Sequence, residues 1–388
     1  MYPTLSWKEA RTTHSVRWRS ESGLPPPKRV IVADDTLKAD AAYHHACEGT
    51  ALLWRGDFQN AKMLLQAIAR RADNRARAAL EANKADATPV AFPQAFHLHR
   101  QAQAQRARML GMLLIPFDAG HVIRLGRAPD VQLACYQIHG AADQPYVMSL
   151  RELLGIIGAH EWRKTGIELT AAGGRILPHY GVFAPVRSEY VQLVAEAPLA
   201  LPAASALAFD IGTGTGVLAA VLVRRGVARV IATESDARAL ACARENITQL
   251  GLGARVEVVE ANLFPALSAA GRAPLIVCNP PWIPSRPSSP LEHAIYDFES
   301  RMLRGFVDGL AAHLAPGGEG WLLLSDIAEH LGLRTRAELL AWIAKAGLKV
   351  QGKIDIKPKH PRAADATDPL HKARAAEVTS LWRLAALA

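Results

Sequence analysis

Three stretches of the chain carry residue types and spacings that could do chemistry. In Ala208-Phe-Asp-Ile-Gly-Thr-Gly-Thr-Gly-Val217 an apolar run ends in an acid, then breaks into alternating glycines before an apolar, helix-like segment. Strand, tight turn and helix is the reading. Gly212, Gly214 and Gly216 allow backbone angles closed to other residues and let a ligand approach the main chain where no Cβ stands in the way. The spacing is Gly-x-Gly-x-Gly, not the Gly-x-Gly-x-x-Gly of dinucleotide sites. Asp210 stands directly before the turn, where a carboxylate repels a pyrophosphate and attracts an ammonium group. About twenty residues further on, Glu234 closes a second strand, where an acid can accept hydrogen bonds from both hydroxyls of a ribose. The third stretch is Ile276-Val-Cys-Asn-Pro-Pro-Trp-Ile-Pro284. Successive prolines remove backbone donors and fix the main chain, holding the Asn279 amide and the Pro280 carbonyl as rigid acceptors, with Pro281 stiffening the turn. Two acceptors suit one NH2 group. A planar nitrogen attacks poorly because its lone pair is delocalised; orienting it can contribute ~7–11 kcal/mol in favourable intramolecular cases, so no strong base is required. Trp282 offers a flat face on which an amide or base can stack.

Regular α/β alternation positions these residues. Strands are expected over residues 206–211, 229–233, 255–260, 275–278 and 319–325, with helices over 215–225, 236–250, 299–314 and 336–346. The second helix is capped by Ser235 and closed by Gly251. Two further strands, 349–356 and 377–384, have no helix between them, so an antiparallel edge is expected. Strands joined by helices imply a parallel sheet with right-handed crossovers and a ligand at the carboxyl ends of the strands.

The glycine segment resembles motif I of the class I S-adenosylmethionine-dependent methyltransferases. Asn-Pro-Pro-aromatic after the fourth strand resembles the group acting on glutamine side-chain amides or on exocyclic amines of adenine and guanine. The resemblance covers roughly residues 175–388. It implies a seven-stranded Rossmann-like sheet with the last strand reversed, S-adenosylmethionine as cofactor, and a protein or RNA acceptor, with the ribosome or a translation factor as a partner. By the same resemblance Asn262 lies beside the adenine amino group. Thr213, Ser235 and Leu263 complete the cofactor-binding set with Asp210, the three glycines, Glu234 and Asn279, and Phe183 and Arg187 belong to a segment folding over the cofactor. The sequence departs from the pattern in two places: Trp282 stands where glutamine methyltransferases more usually carry Tyr, and 285–304 lacks the usual continuation. Both bear on the glutamine substrate and not on methyl transfer. A small-molecule methyltransferase and a non-catalytic RNA or protein adaptor are the alternatives, and intact Asp210, Glu234 and Asn279 argue against the adaptor.

At 388 residues, two domains are expected. Residues 1–29, rich in Arg and ending in Pro25-Pro-Pro-Lys-Arg29, read as a flexible arm and linker; 30–170 read as a mainly helical accessory domain that selects the substrate; 171–388 read as the methyltransferase domain. Within the accessory domain, residues 43–71 and 93–112 show helical stripes followed or lined by Arg70, Arg71, Arg75, Arg77, Arg100, Arg106 and Arg108. A formal charge of +9 favours polyanionic partners. No run of about 18 apolar residues occurs, and the amino terminus has no signal-peptide core, so a cytoplasmic protein without a membrane span is expected. Cys47, Cys135, Cys242 and Cys278 are scattered without Cys-x-x-Cys spacing, and no histidine pair has metal-ligand spacing. Buried reduced thiols and no metal are therefore expected. Nothing in the sequence sets an oligomeric state.

Overall fold

The computed structural model describes residues 3–84, 92–186, 188–199, 207–287, 290–358, 365 and 368–387. The chain divides into two compact units, Met1–Glu161 and Trp162–Ala388.

The first unit contains β1 (Thr4–Glu9), β2 (Thr12–Trp18), β3 (Arg29–Ala33), α1 (Ala39–Cys47), β4 (Thr50–Trp54), α2 (Phe58–Lys84), α3 (Phe92–Leu110), β5 (Leu113–Phe117), α4 (Gln132–His139), β6 (Tyr146–Ser149) and α5 (Leu150–Thr165), which runs across the boundary. Its strands form one sheet in the order β1-β2-β6-β5-β4-β3, with β3, β4 and β5 mutually parallel. This corrects the expected flexible arm: residues 4–18 are an antiparallel hairpin with Leu5 opposite Val16 and Trp7 opposite His14. Leu5 and Trp18 enter a core with Ala51, Leu53, Leu114 and Val147. The inward residues Leu5 and Trp7, then Val16 and Trp18, repeat with the period of two that a half-buried strand requires. The helices are present, but they are arranged on a six-stranded sheet. β4 falls inside a stretch read as helical. Its five residues are all buried, so they show no alternation and merge with the apolar stripe of α2.

The second unit carries a short hairpin of β7 (Ile167–Leu169) and β8 (Gly174–Ile176), then α6 (Glu189–Glu196) and β9 (Leu207–Ile211), α7 (Val217–Arg224), β10 (Arg229–Glu234), α8 (Ala237–Gln249), β11 (Val256–Glu260), α9 (Leu267–Ala270), β12 (Ala273–Cys278), α10 (Arg301–His313), β13 (Leu314–Ser325), α11 (Ile327–His330), α12 (Arg336–Lys345), β14 (Leu348–Ile356), α13 (His371–Ala376) and β15 (Thr379–Ala386). Seven strands are ordered β11-β10-β9-β12-β13-β15-β14, and β15 runs antiparallel to both neighbours, as expected; the expectation of no helix between the last two strands is corrected by the short α13. The central strands alternate between two cores. Ala208, Val230, Leu275 and Val277 face one containing Val217, Val221 and Ile247; Phe209, Ile231, Ile276 and Cys278 face another containing Leu303, Phe306 and Leu310. The chain runs from β9 outward through β10 to β11, then crosses back to β12 on the other side of β9, which makes the carboxyl end of β9 the switch point where ligands bind in open α/β sheets.

Candidate active site

The β9–α7 turn is built by Asp210. Its side chain is 1% exposed, and Oδ2 accepts from Thr213 Oγ1 at 2.6 Å and from the Ala219 N–H at 3.0 Å. Burial pushes its pKa up to about 6; the hydrogen bonds from Thr213 and Ala219 work against the rise and the charge of Glu234 adds to it. Asp210 thus uses one oxygen to pin the turn to the first residues of α7, because at that depth it needs internal partners.

All three glycines adopt positive φ, 69° at Gly212, 58° at Gly214 and 82° at Gly216. They serve different purposes. A Cβ on Gly212 would stand 2.3 Å from Met302 Cε, and one on Gly216 would press on Ile247, whereas nothing lies within 4 Å of the Cβ position at Gly214. Close internal packing accounts for the outer two, and the middle one leaves open space where its Cβ would be.

Glu234, at the end of β10, accepts through Oε2 from the Gly214 N–H at 3.0 Å and through Oε1 from the N–H groups of Ser235 at 2.8 Å and Asp236 at 3.0 Å. The turn is also held by Thr213, whose N–H donates to the Thr233 carbonyl at 2.9 Å. Ser235 is not the helix cap expected: Asp236 takes that place, accepting from the Ala239 N–H at 2.8 Å. After β11, Asn262 is exposed, and Leu263 adopts φ 65° while its carbonyl accepts from Thr233 Oγ1 at 2.5 Å. Phe183 packs against the core beneath α7. Arg187 lies outside the described residues.

Register brings the third stretch to the glycine turn. β12 pairs with β9 so that Cys278 is opposite Ile211, which sets Asn279 beside Gly212. Asn279 is half-buried, Pro280 buried, and the Trp282 Nε1–H donates to Asn279 Oδ1 at 3.0 Å. The Cys278 thiol is pushed well above its ordinary pKa, first by burial and then by the charges of Asp210, Asp297 and Glu234. The strand ends thus gather negative potential, which favours a positively charged ligand over a pyrophosphate.

Several residues that shape this region escaped the sequence reading. Asn246 is wholly buried: its Oδ1 accepts from the Leu177 N–H at 2.7 Å, and its Nδ2 donates to the Thr215 carbonyl at 3.0 Å. It therefore ties the segment before α6 to the glycine turn. The available signal was an Asn on the inward face of α8 among Cys242, Ala243 and Ile247. Asp297, 6% exposed, accepts from the N–H groups of Met302 and Leu303, both at 3.0 Å, and so starts α10 and fixes Met302 over Gly212. Glu299 and Ser300, both at positive φ, intervene and obscure the capping pattern.

Residues 176–335 match the family model described as the methyltransferase small domain. The matched stretch holds Asp210, the glycine turn, Glu234 and the Asn-Pro-Pro-Trp turn. The chain is 36% identical to a release factor glutamine methyltransferase of Cereibacter sphaeroides over 41% of its own length and 59% of the relative's. It is 33% identical to a tRNA1(Val) (adenine(37)-N6)-methyltransferase of Bacteroides fragilis, over 37% of this chain and 65% of that one. In both cases less than two thirds of the curated relative is covered. A solved ribosomal protein L11 methylase from Lactobacillus delbrueckii subsp. bulgaricus aligns over 52% of this chain and 79% of its own, at 15% identity and TM-score 0.34. Among the described residues, no three His, Cys, Asp or Glu side chains group as a metal site, and no helix is long and apolar enough to cross a membrane.

Proposed function

We propose that the second unit is an S-adenosylmethionine-dependent N-methyltransferase whose acceptor is a planar nitrogen, either the side-chain amide of a protein glutamine or the exocyclic amine of an adenine or guanine in RNA. The observation that carries this is the Ile211–Cys278 register, which puts Asn279 and Pro280 beside the glycine turn. The methyl donor supplies an electrophilic methyl on a sulfonium centre. The residues fit it: Glu234 for the ribose hydroxyls, Gly214 for close approach of the main chain, Asn262 and Leu263 at the adenine end, and a negative field suited to the cation. Asn279 Oδ1 and the Pro280 carbonyl accept the two hydrogens of the NH2 group and hold its lone pair in one direction. Phe183 and Arg187 belong to the segment assigned to cover the cofactor. The names of the two relatives describe a glutamine and an adenine acceptor, both planar NH2 groups.

Selection of the acceptor is assigned to the first unit. Of its arginines, Arg71 is paired with Asp40 and Arg106 with Asp73, each at 2.6 Å, which takes two of them from the set proposed to meet an RNA backbone. The test is transfer of labelled methyl into fractionated ribosomes, tRNA, total protein and small-molecule extract, with mass spectrometry of the labelled fraction. Label in tRNA, rRNA or a protein glutamine supports the proposal, and Asn279→Ala should cut that transfer by about a hundredfold, as loss of one positioned polar group does elsewhere. Label only in a metabolite rejects the macromolecular acceptor. Tighter binding of NADH than of S-adenosylhomocysteine rejects methyl transfer.

A further inference from the structure

The bond from Trp282 to Asn279 fixes more than a turn. An indole nitrogen has one hydrogen to give and no lone pair to offer, so its partner at 3.0 Å must be the amide oxygen of Asn279, not the amide nitrogen. The amide therefore stands one way round, with Oδ1 toward the indole. A carbonyl oxygen accepts in two directions; the indole takes one and leaves the other. The Trp282 ring is itself held, half-buried against the core that contains Ile276, Cys278 and Leu303, so the donor is placed by packing. A Tyr here would carry its polar atom at the far tip of the ring, and a Phe would carry none.

We infer that Trp282 is a positioning residue acting through Asn279: its N–H holds the Asn279 oxygen in the direction from which the second acceptor site meets the substrate NH2. The inference rests on the assignment of this turn to a planar-nitrogen acceptor, and it separates two jobs. A stacking face governs how tightly the acceptor binds; a positioning bond governs how fast bound acceptor reacts. Trp282→Phe keeps an aromatic face and deletes the N–H.

The wild type is first assayed with purified release factor and with bulk tRNA, and the variant is then measured on whichever accepts methyl. Loss of one hydrogen bond's worth of orientation predicts kcat lower by roughly three- to tenfold. The acceptor KM should stay within about twofold, and S-adenosylhomocysteine affinity by calorimetry should be unchanged. An unchanged kcat with a raised KM overturns the inference in favour of stacking alone. Parallel losses in kcat and cofactor affinity overturn it in favour of a general packing role. A second measurement needs neither substrate nor a folded Trp282 variant. Of the eight tryptophan indole N–H signals in the 15N–1H spectrum, one should shift and exchange faster with solvent in Asn279→Ala. If none responds, the bond does not exist and the inference falls. Should the wild type methylate neither acceptor, the proposed substrates fall while the spectrum still decides the bond.

Discussion

The two units begin with the same plan and finish their strand ends differently. In the first, β3, β4 and β5 are parallel and lie side by side in chain order, as β9, β10 and β11 do in the second. Beyond β9 the chain makes a glycine turn with open space at Gly214. Beyond β3 and β4 the corresponding space is filled by the protein's own side chains. A Cβ on Gly56 would stand 2.6 Å from Asp35 Oδ1, the Asp57 N–H and Asn60 Nδ2 donate to the Asp35 carboxylate, and Arg127 donates to Asp57 at 2.8 and 2.7 Å. Strand order alone therefore does not make a ligand site. What distinguishes the ends is the space beside the glycine: the Asp35 carboxylate closes it at Gly56, whereas nothing lies within 4 Å of the Cβ position at Gly214.

The largest expected effect tests how deeply Asp210 is committed to its turn. Its folded pKa of about 6 lies above the ordinary carboxylate value, so between about pH 4 and 6 the folded state binds more protons than the unfolded one. Stability must then fall as pH rises through that window. Asp210→Asn removes this dependence: relative to the wild type it should gain up to about 3 kcal/mol between pH 4 and pH 7, read from urea unfolding. A constant difference across that range would mean that the carboxylate is not desolvated. Next, Glu234→Ala should cost S-adenosylmethionine about 1.5–3 kcal/mol, or roughly ten- to a hundredfold in calorimetric affinity, while Asp35→Ala in the first unit leaves that affinity alone. Equal losses from both would erase the contrast between the two strand ends. Gly214→Ala forces a side chain into the left-handed region, which costs about 1–2 kcal/mol, and puts a methyl into the open space. Cofactor binding should weaken more than the thermal midpoint falls; a fall in the midpoint alone would make Gly214 a structural glycine. The smallest effect belongs to Arg127→Ala, because its ion pair with Asp57 lies at the surface. A slight loss of stability with unchanged cofactor affinity is expected, and a loss of affinity would tie the first unit's strand ends to the site.

Strands and helices of the second unit were readable because β9, β10, β12 and β13 are interior and largely apolar, and because α7, α8 and α12 are followed by Gly226, Gly251 and Gly347. The turns at Asn279 and at the glycines were legible as turns, because residue type there is dictated by backbone geometry and by proline chemistry. The hydrogen bonds of Asp210 Oδ2 to its own turn were not foreseen, since a sequence shows an acid without showing how deep it lies. Asn246 acts through hydrogen bonds to main-chain groups 69 and 31 residues away, which no local pattern announces, and the bonds of Asp297 reach past two residues at positive φ that hide the cap. In the first unit β1 and β2 were passed over because Arg17, Lys8 and the triple proline dominated a segment whose inward residues are only Leu5, Trp7, Val16 and Trp18.

The placement of the cysteines has a practical corollary. Cys135, Cys242 and Cys278 are buried, and burial pushes the first two thiols up to about 11 and the third well above its ordinary value. Thiolate, the form that reacts with maleimides and oxidants, is therefore scarce at all three near neutral pH. Cys47, at the end of α1, is exposed. The expectation of four buried thiols fails at that one position, and the native chain thereby carries a built-in attachment point: a maleimide dye applied to folded protein should label Cys47 alone. The first unit can thus bear a fluorophore while acceptor binding is followed, with no cysteine added or removed.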